Sequence, residues 1–340
     1  MRYASSTDVA RLAGVSQSAV SRTYKAGASV SAKTRQKVLE AAEQLGYRPS
    51  LIPQIMLNHR SYLVAIVIGG MYNPFYSRVL EEFTIKLQSI GHQVLLVHVD
   101  SDHALDAAIP RLASYRVDAI VSALAILSPR LADELARLKI PVISFNTPVK
   151  NEWVSSVSCD NEGAGRAIAD LFLTRGARSF GFVAGPAGSP AADERLAGYR
   201  ARLAEAGFSG IATAAADFHY EGGRDAVMQL FAGGARLDAI FCANDLMALG
   251  AIDAIRKNIG LCIPDQLLMA GFDDIPSASW DAYDLTTFHQ DAPLMVDAAL
   301  KIVQSATETH RSPGDVRIVV PATLIERATT RRAVPGGAAT

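Results

Sequence analysis

The stretch Thr7–Arg22, TDVARLAGVSQSAVSR, decides how the front of this chain is read. Two short helical patterns meet at a glycine. Thr7 stands where it caps the first, in which Val9, Leu12 and Ala13 recur at i, i+3 and i+4 and make one apolar face. Gly14 ends that helix, Val15 plugs the corner, and Ser16 caps a second helix in which Val20 turns inward. Gln17, Ser18, Ser21 and Arg22 are left on the outer face, and all four hydrogen-bond readily to DNA. A second helix with a donor-rich N-terminal face suits the major groove, where each base pair offers its own donor and acceptor pattern. The competing reading of these residues is a solvated helical hairpin.

Working outward, Ser31 caps a third helix through KTRQKVLEAAEQLG, with Val38, Leu39, Ala42 and Leu45 as its expected buried stripe and Gly46 as its stop. Charge divides along the chain. Residues 1–60 hold nine Lys/Arg against three Asp/Glu, a net of +6, and the remaining residues hold 24 against 31, a net of −7. A basic head on an acidic body suits a phosphate-binding module attached to something that does not touch nucleic acid.

The runs DVARLAGVSQSAVSR and VSAKTRQKVLEAAEQLGYRP, followed by LVAIVI and NPFY, resemble the lactose-repressor (LacI/GalR) family of bacterial transcription regulators. The resemblance covers essentially the whole chain. Its headpiece part is highly specific, whereas the body part is shared with periplasmic sugar-binding proteins. It implies an all-α helix-turn-helix headpiece followed by an α/β, two-lobe, periplasmic-binding-protein-like body with parallel sheets. The segments are a headpiece over 1–49, a hinge over 50–60, an effector-binding and dimerisation body over 61–330, and a disordered tail over 331–340. With Thr7, Ser16, Gln17, Ser18, Ser21 and Arg22, the DNA-facing set includes Tyr47 and the hinge residue Met56. Met56 stands where family hinges usually carry leucine, and Pro53 is a second departure. With Ser50 as N-cap, Pro53 falls in a first helical turn, where a missing N–H removes no intrahelical bond. The hinge is thus expected to become helical on DNA and to wedge Met56 into the minor groove, the competing reading being an interdomain linker whose apolar residues pack on the body.

The body reads independently as α/β. Apolar, β-branched runs recur at LVAIVI (63–68), QVLLVHV (93–99), DAIVSAL (118–124), IPVISF (140–145), SFGFVAG (179–185), DAIFCA (238–243) and QLLMAGF (266–272), with amphipathic stretches between most of them. Such continuous hydrophobic strands belong to parallel sheets covered on both faces. So long a pattern exceeds one comfortable sheet and points to two lobes. The resemblance implies lobes that the chain enters more than once, with crossings near residues 159–161, near 289–292 and near Pro321. Ligands of open α/β sheets sit beyond the carboxyl ends of strands. Here those ends carry Asn73, Phe75, Tyr76, Asn146, Arg195, Asn244, Asp245, Asp273 and Asp274. A ring of Asn, Asp and Arg with flanking aromatics suits a hydroxyl-rich or carboxylate-bearing small molecule. The resemblance matches Arg195, Asn244 and Asp273 to effector-contacting positions and Phe218 to a stacking aromatic, which with Phe75, Tyr76 and Asn146 makes the expected effector set. Arg195 has no acidic residue three or four positions away on its helix and so no obvious structural duty. For Phe75, Phe218 and Trp280, core or lip positions compete with ligand stacking.

Other classes are weighed and set aside. The chain has no HExxH, no GxSxG and no Walker lysine, and the nearest dinucleotide fingerprint, NEGAGRA, has Ile168 where a third glycine belongs. The seven histidines are dispersed, without metal-ligand spacing. Cys159, Cys242 and Cys262 lack CxxC spacing and read as buried thiols in a reducing compartment. There is no membrane-length apolar run and no hydrophobic core at the N-terminus, so a cytoplasmic protein is expected. No cofactor and no metal are expected. The expected partners are a pseudo-palindromic double-stranded DNA operator, a small polar effector of sugar or sugar-like type, and a second copy, as a homodimer or a pair of dimers. The alternatives are a solute-binding protein serving a transporter and a regulator triggered by a partner protein. The C-terminal TTRRAVPGGAAT lacks leucine heptads and reads as a disordered tail.

Overall fold

The computed structural model describes residues 4–25, 27–49, 60–69, 72–99, 108, 112–124, 129–146, 152–232, 234, 236–309 and 314–331. The hinge residues 50–58, Met56 among them, and the tail residues 332–340 lie outside the described residues. Chain contacts divide the molecule into Met1–Arg60 and Ser61–Thr340.

The first unit is a three-helix cluster of α1 (Ser6–Ala13), α2 (Gln17–Thr23) and α3 (Ala32–Gln44). Its core is Val9, Ala10, Ala13, Val20, Val38, Ala41 and Ala42. Two expectations are corrected here. Leu12 is 51% exposed, and Leu39 and Leu45 are 43% and 38% exposed, so the buried stripes run through alanines instead. Small residues at the crossings let three short helices approach closely, which leaves the leucines at the rim. The cap of α1 is Ser5, not Thr7: Ser5 Oγ accepts from the Asp8 N–H at 3.2 Å while Asp8 Oδ2 accepts from the Ser5 N–H at 3.0 Å, a reciprocal capping box. Gly14 closes α1 at φ +62°, a left-handed conformation that glycine adopts without penalty.

The second unit carries two parallel sheets. The first has the order β11-β5-β4-β3-β1-β2 and the second β7-β6-β8-β9. The first sheet comprises β1 (Leu63–Ile68), β2 (Gln93–His98), β3 (Ala119–Ala123), β4 (Val142–Phe145), β5 (Val154–Cys159) and β11 (Arg317–Val320). The second comprises β6 (Phe180–Ala184), β7 (Ile211–Ala215), β8 (Ala239–Cys242) and β9 (Leu268–Ala270). Helices among the described residues include α4 (Pro74–Ser89), α5 (Pro129–Arg137), α6 (Asn161–Thr174), α7 (Pro190–Glu205), α8 (Tyr220–Ala232), α9 (Asp245–Ala254) and α10 (Ala292–Thr309). The chain passes from the first sheet to α6 after Cys159, returns from β10 (Thr287–Gln290) into α10, and leaves again at Pro321 between β11 and β12 (Ala322–Ile325). β10 and β12 pair with each other antiparallel, a ribbon that periodicity did not suggest.

Two contacts set the position of the site. Asn73 caps α4, whose Phe75, Val79, Phe83 and Leu87 recur every four residues and pin the helix to the first sheet. In the second lobe α6 and α7 cross nearly backbone to backbone: a Cβ on Gly165 would lie 2.2 Å from the Arg195 carbonyl oxygen, and one on Gly198 2.0 Å from that of Glu162. The glycines of NEGAGRA therefore serve helix packing. Of the cysteines, Cys159 and Cys242 are buried and Cys262 is exposed, against the expectation for the last. Thr329 and Thr330, read as tail, are buried, and their hydroxyls bond to Thr286 at 2.8 and 2.7 Å.

Candidate functional site

On the headpiece, Thr7, Ser16, Gln17, Ser18, Ser21 and Arg22 are all exposed. Ser16 is committed to the helix, because its Oγ accepts from the Ala19 N–H at 3.3 Å and contacts Ser18 Oγ at 2.9 Å. Gln17 Nε2 donates to Ser6 Oγ at 2.9 Å, a surface bond that a base edge can replace. Arg22 makes no ion pair among the described residues. Tyr47 is half-buried, its ring edge-on to Tyr24 with centroids 6.0 Å apart, so it is partly a core residue. Arg35, absent from the sequence-derived set, donates to the Thr23 carbonyl at 2.8 Å and so ties α3 to the end of α2.

In the body, one pocket is lined by all seven residues expected there: Phe75, Tyr76, Asn146, Arg195, Phe218, Asn244 and Asp273. It also takes Tyr72, Asn73, Ser189, Ala191 and Gln290, which the expected set lacked. Trp280 is not among its lining and is 60% exposed. Asn73 did stand out as a strand-end residue. Gln290 closes β10, a strand too short and too polar to read, and that is why the strand-end rule missed it.

The walls come from both lobes and touch. Asn73 Oδ1 accepts from the Phe75 N–H at 3.0 Å, and its Nδ2 donates to Asp273 Oδ2 at 2.8 Å, so the start of α4 is held to the far lobe. Gln290 Nε2 donates to the other oxygen, Oδ1, at 2.7 Å. At the rim Tyr72 stacks on His219, with ring centroids 3.9 Å apart. Closed this way, the pocket holds about 30 Å³, room for about two water molecules.

Arg195 corrects an expectation, because it has structural duties that sequence did not suggest. It is buried, its Nε donates to Asn161 Oδ1 at 2.9 Å, its Nη1 to the Ala243 carbonyl at 2.5 Å, and it lies 3.5 Å above the Phe272 ring. Nη2 is the edge without a bond among the described residues. Asn244 is similarly engaged: it caps α9 through the Met247 N–H at 3.0 Å and donates to the Phe218 carbonyl at 3.0 Å, which helps hold Phe218 at φ +69°. Burial lifts the Asp273 carboxyl to about 6, against the opposing pull of Arg195, Asn73 and Gln290. Asp245 sits behind, held by Thr287 Oγ1 at 2.6 Å and the Ile275 N–H at 3.0 Å, and burial followed by the charge of Asp273 raises it to about 7. Burial likewise raises Tyr76 to about 12, so it stays a neutral phenol.

Three buried polar atoms on the pocket wall have no partner among the described residues: Asn146 Oδ1, Ser189 Oγ and Gln290 Oε1. Buried acceptors and hydroxyls left this way carry a desolvation cost that a guest would relieve. No group of three or more His, Cys, Asp or Glu among the described residues is placed to hold a metal ion.

Comparison with known proteins agrees with this geometry. The profile for bacterial regulatory proteins of the lacI family matches residues 7–50, and that for a periplasmic binding protein-like domain matches residues 169–330. The HTH-type transcriptional regulator CelR of Thermobifida fusca is 30% identical, over 94% of this chain and 96% of its own length. The chain belongs to the lacI family. Among solved structures, the lac repressor dimer bound to operator and the anti-inducer ONPF superposes with a TM-score of 0.87 at 26% identity, covering 97% of this chain and 99% of that one. A CelR–cellobiose complex superposes with a TM-score of 0.73 at 28% identity, covering 96% and 99%. This lacI-family member is thus a DNA-binding transcriptional regulator governed by a small-molecule effector, and not an enzyme. No helix among its described residues is long and apolar enough to cross a membrane.

Proposed function

We propose that this regulator acts in the cytoplasm as a homodimer whose headpieces read the two half-sites of a pseudo-palindromic operator, and that its effector is a neutral, polyhydroxylated molecule of sugar type. Base reading falls to Gln17, Ser18 and Arg22, with Ser21 and Tyr47 near the backbone and Met56 as the minor-groove wedge. Effector contacts fall to Phe75, Tyr76, Asn146, Arg195, Phe218, Asn244 and Asp273, joined by Asn73, Ser189 and Gln290.

The observation that carries the effector class is the state of the two charged groups. Arg195 and Asp273 offset each other inside the pocket, and Arg195 already uses Nε and Nη1 on Asn161 and Ala243. With two of its five N–H donors engaged and its charge offset by Asp273, the guanidinium is a weaker partner for a carboxylate or phosphate than a free one. Hydroxyls suit the remaining set, because each both donates and accepts and thereby answers Asn146 Oδ1, Ser189 Oγ, Gln290 Oε1 and the free edge of Arg195. Phe75 and Phe218 offer faces for the C–H side of a ring. A thermal-shift screen of the full chain against neutral sugars, sugar acids, nucleosides and purines tests this. Stabilisation by a neutral sugar is expected. Stabilisation confined to sugar acids or purines overturns the assignment of class.

A further inference from the structure

We propose that the cleft between the lobes contains a second compartment, adjoining the effector pocket, that binds a small oxyanion, a carboxylate or a phosphate group, through Arg78. A cavity of about 220 Å³ lies there, against about 30 Å³ for the front pocket. Pro74, Phe75 and Arg78 from the start of α4 form one wall, and Asp273 to Pro276, Ser279 and Arg327 form the other. The two compartments share Phe75 and Asp273, so the Asn73–Asp273 hydrogen bond lies at the partition between them.

The charge of this compartment is uncompensated on one side only. Asp274 is fully engaged: Oδ1 accepts from Arg327 Nη2 at 2.7 Å and Oδ2 is 2.9 Å from His289 Nδ1. Arg327 is equally occupied, its Nη1 donating to the Leu285 carbonyl at 2.9 Å. Asp273 faces Arg195, Asn73 and Gln290 across the partition. Arg78 is exposed and makes no hydrogen bond or ion pair among the described residues, which leaves its guanidinium as the one group on the cavity wall with free charge and free donors. A guanidinium in that condition pairs in fork geometry with carboxylate or phosphate oxygens. Phe75, Ile275 and Pro276 supply apolar walls for the carbon skeleton that carries the anion. The compartment therefore suits an acidic metabolite that the charge-balanced front pocket would reject, and its occupancy bears on both lobes at once.

The test uses the full chain and three proteins: the wild type, Arg78→Ala and Ser279→Glu. Ser279 is exposed on the cavity wall, so the second variant sets a carboxylate opposite Arg78 without removing it. Melting temperature is followed against sodium phosphate and, separately, sodium acetate, with sodium chloride at matched ionic strength as the reference. The headpiece's own affinity for anions is common to all three proteins and cancels. A saturable stabilisation of the wild type beyond chloride is expected, with its midpoint raised about tenfold or more in both variants. Their melting temperatures in chloride should match that of the wild type. A response to phosphate alone identifies a phosphate-bearing ligand and one to acetate a carboxylate. Equal midpoints in all three proteins, or no response beyond chloride, overturns the proposal.

Discussion

Replacing Asp273 with asparagine separates charge from shape at the centre of the effector pocket. The Asp273 carboxyl stands at about 6 in the folded protein against an ordinary 3.8, so the native state binds more protons than the unfolded chain between those values. Stability from this group is therefore present at low pH and is lost as pH rises through about 6. The whole displacement corresponds to about 3 kcal/mol, of which about 1.5 kcal/mol falls between about pH 5 and about pH 8. Asp273→Asn should remove that slope, so its stability relative to wild type should improve by about 1.5 kcal/mol from the lower to the higher pH. Relief of Asp245, which the charge of Asp273 pushes upward, adds in the same direction. The substitution is tolerable in shape: one oxygen still accepts, and rotating the Gln290 amide turns its unpartnered Oε1 toward the new NH₂. Effector affinity should move the other way. Losing a charge-assisted bond to a ligand hydroxyl costs about 1.5–3 kcal/mol, or about 10- to 150-fold in Kd. Urea denaturation at the two pH values, with calorimetric titration of the stabilising sugar, measures both. Parallel pH dependence of variant and wild type, together with an unchanged Kd, would refute the reasoning.

Arg195→Ala should abolish the effector response and also lower stability by about 3–5 kcal/mol, because it strips the hydrogen bonds to Asn161 and Ala243 and leaves Asp273 buried without its cation; a melting temperature equal to that of wild type would show that its partners are dispensable. Arg22→Ala should cost about 1–3 kcal/mol of operator affinity while most salt-dependent nonspecific binding survives, as read by electrophoretic titration against operator and random DNA. If both fall together, Arg22 is a phosphate contact. Met56→Ala should weaken operator binding and reduce DNA bending while effector binding stays unchanged, and a bend angle and affinity equal to wild type would remove the wedge.

The parts of this molecule that were legible from sequence are those whose determinants are local. A serine cap opens each headpiece helix, a left-handed glycine closes the first, and a short β-branched run such as LVAIVI reads as a strand buried on both faces. Strand ends point to ligand sites for the same reason, and that brought Phe75, Tyr76, Asn146, Arg195, Asn244 and Asp273 into one pocket, whereas Phe218 came only from the family resemblance. What stayed hidden depends on partners far along the chain. In β5, VSSVSC, serines stand in a strand that is buried throughout, and Ser155 Oγ donates to the carbonyl of Gly314, 159 residues along the chain. Hydropathy reads such a strand as loop. The edge strand β7, IATAA, is half-exposed and alanine-rich, and gives the same false signal. Leu12 and Leu39 misled in the opposite sense, because hydrophobicity ranks leucine above alanine whereas a close helix crossing selects the smaller side chain. Arg195 shows the limit most clearly. Its anchors are an amide 34 residues away, a backbone carbonyl 48 residues away and the ring of Phe272, none of them a charge that sequence inspection would pair with an arginine. The same contacts that made it look free of structural duty aim its remaining edge into the pocket, so fold and effector response meet in a single side chain and are best separated at Asp273 instead.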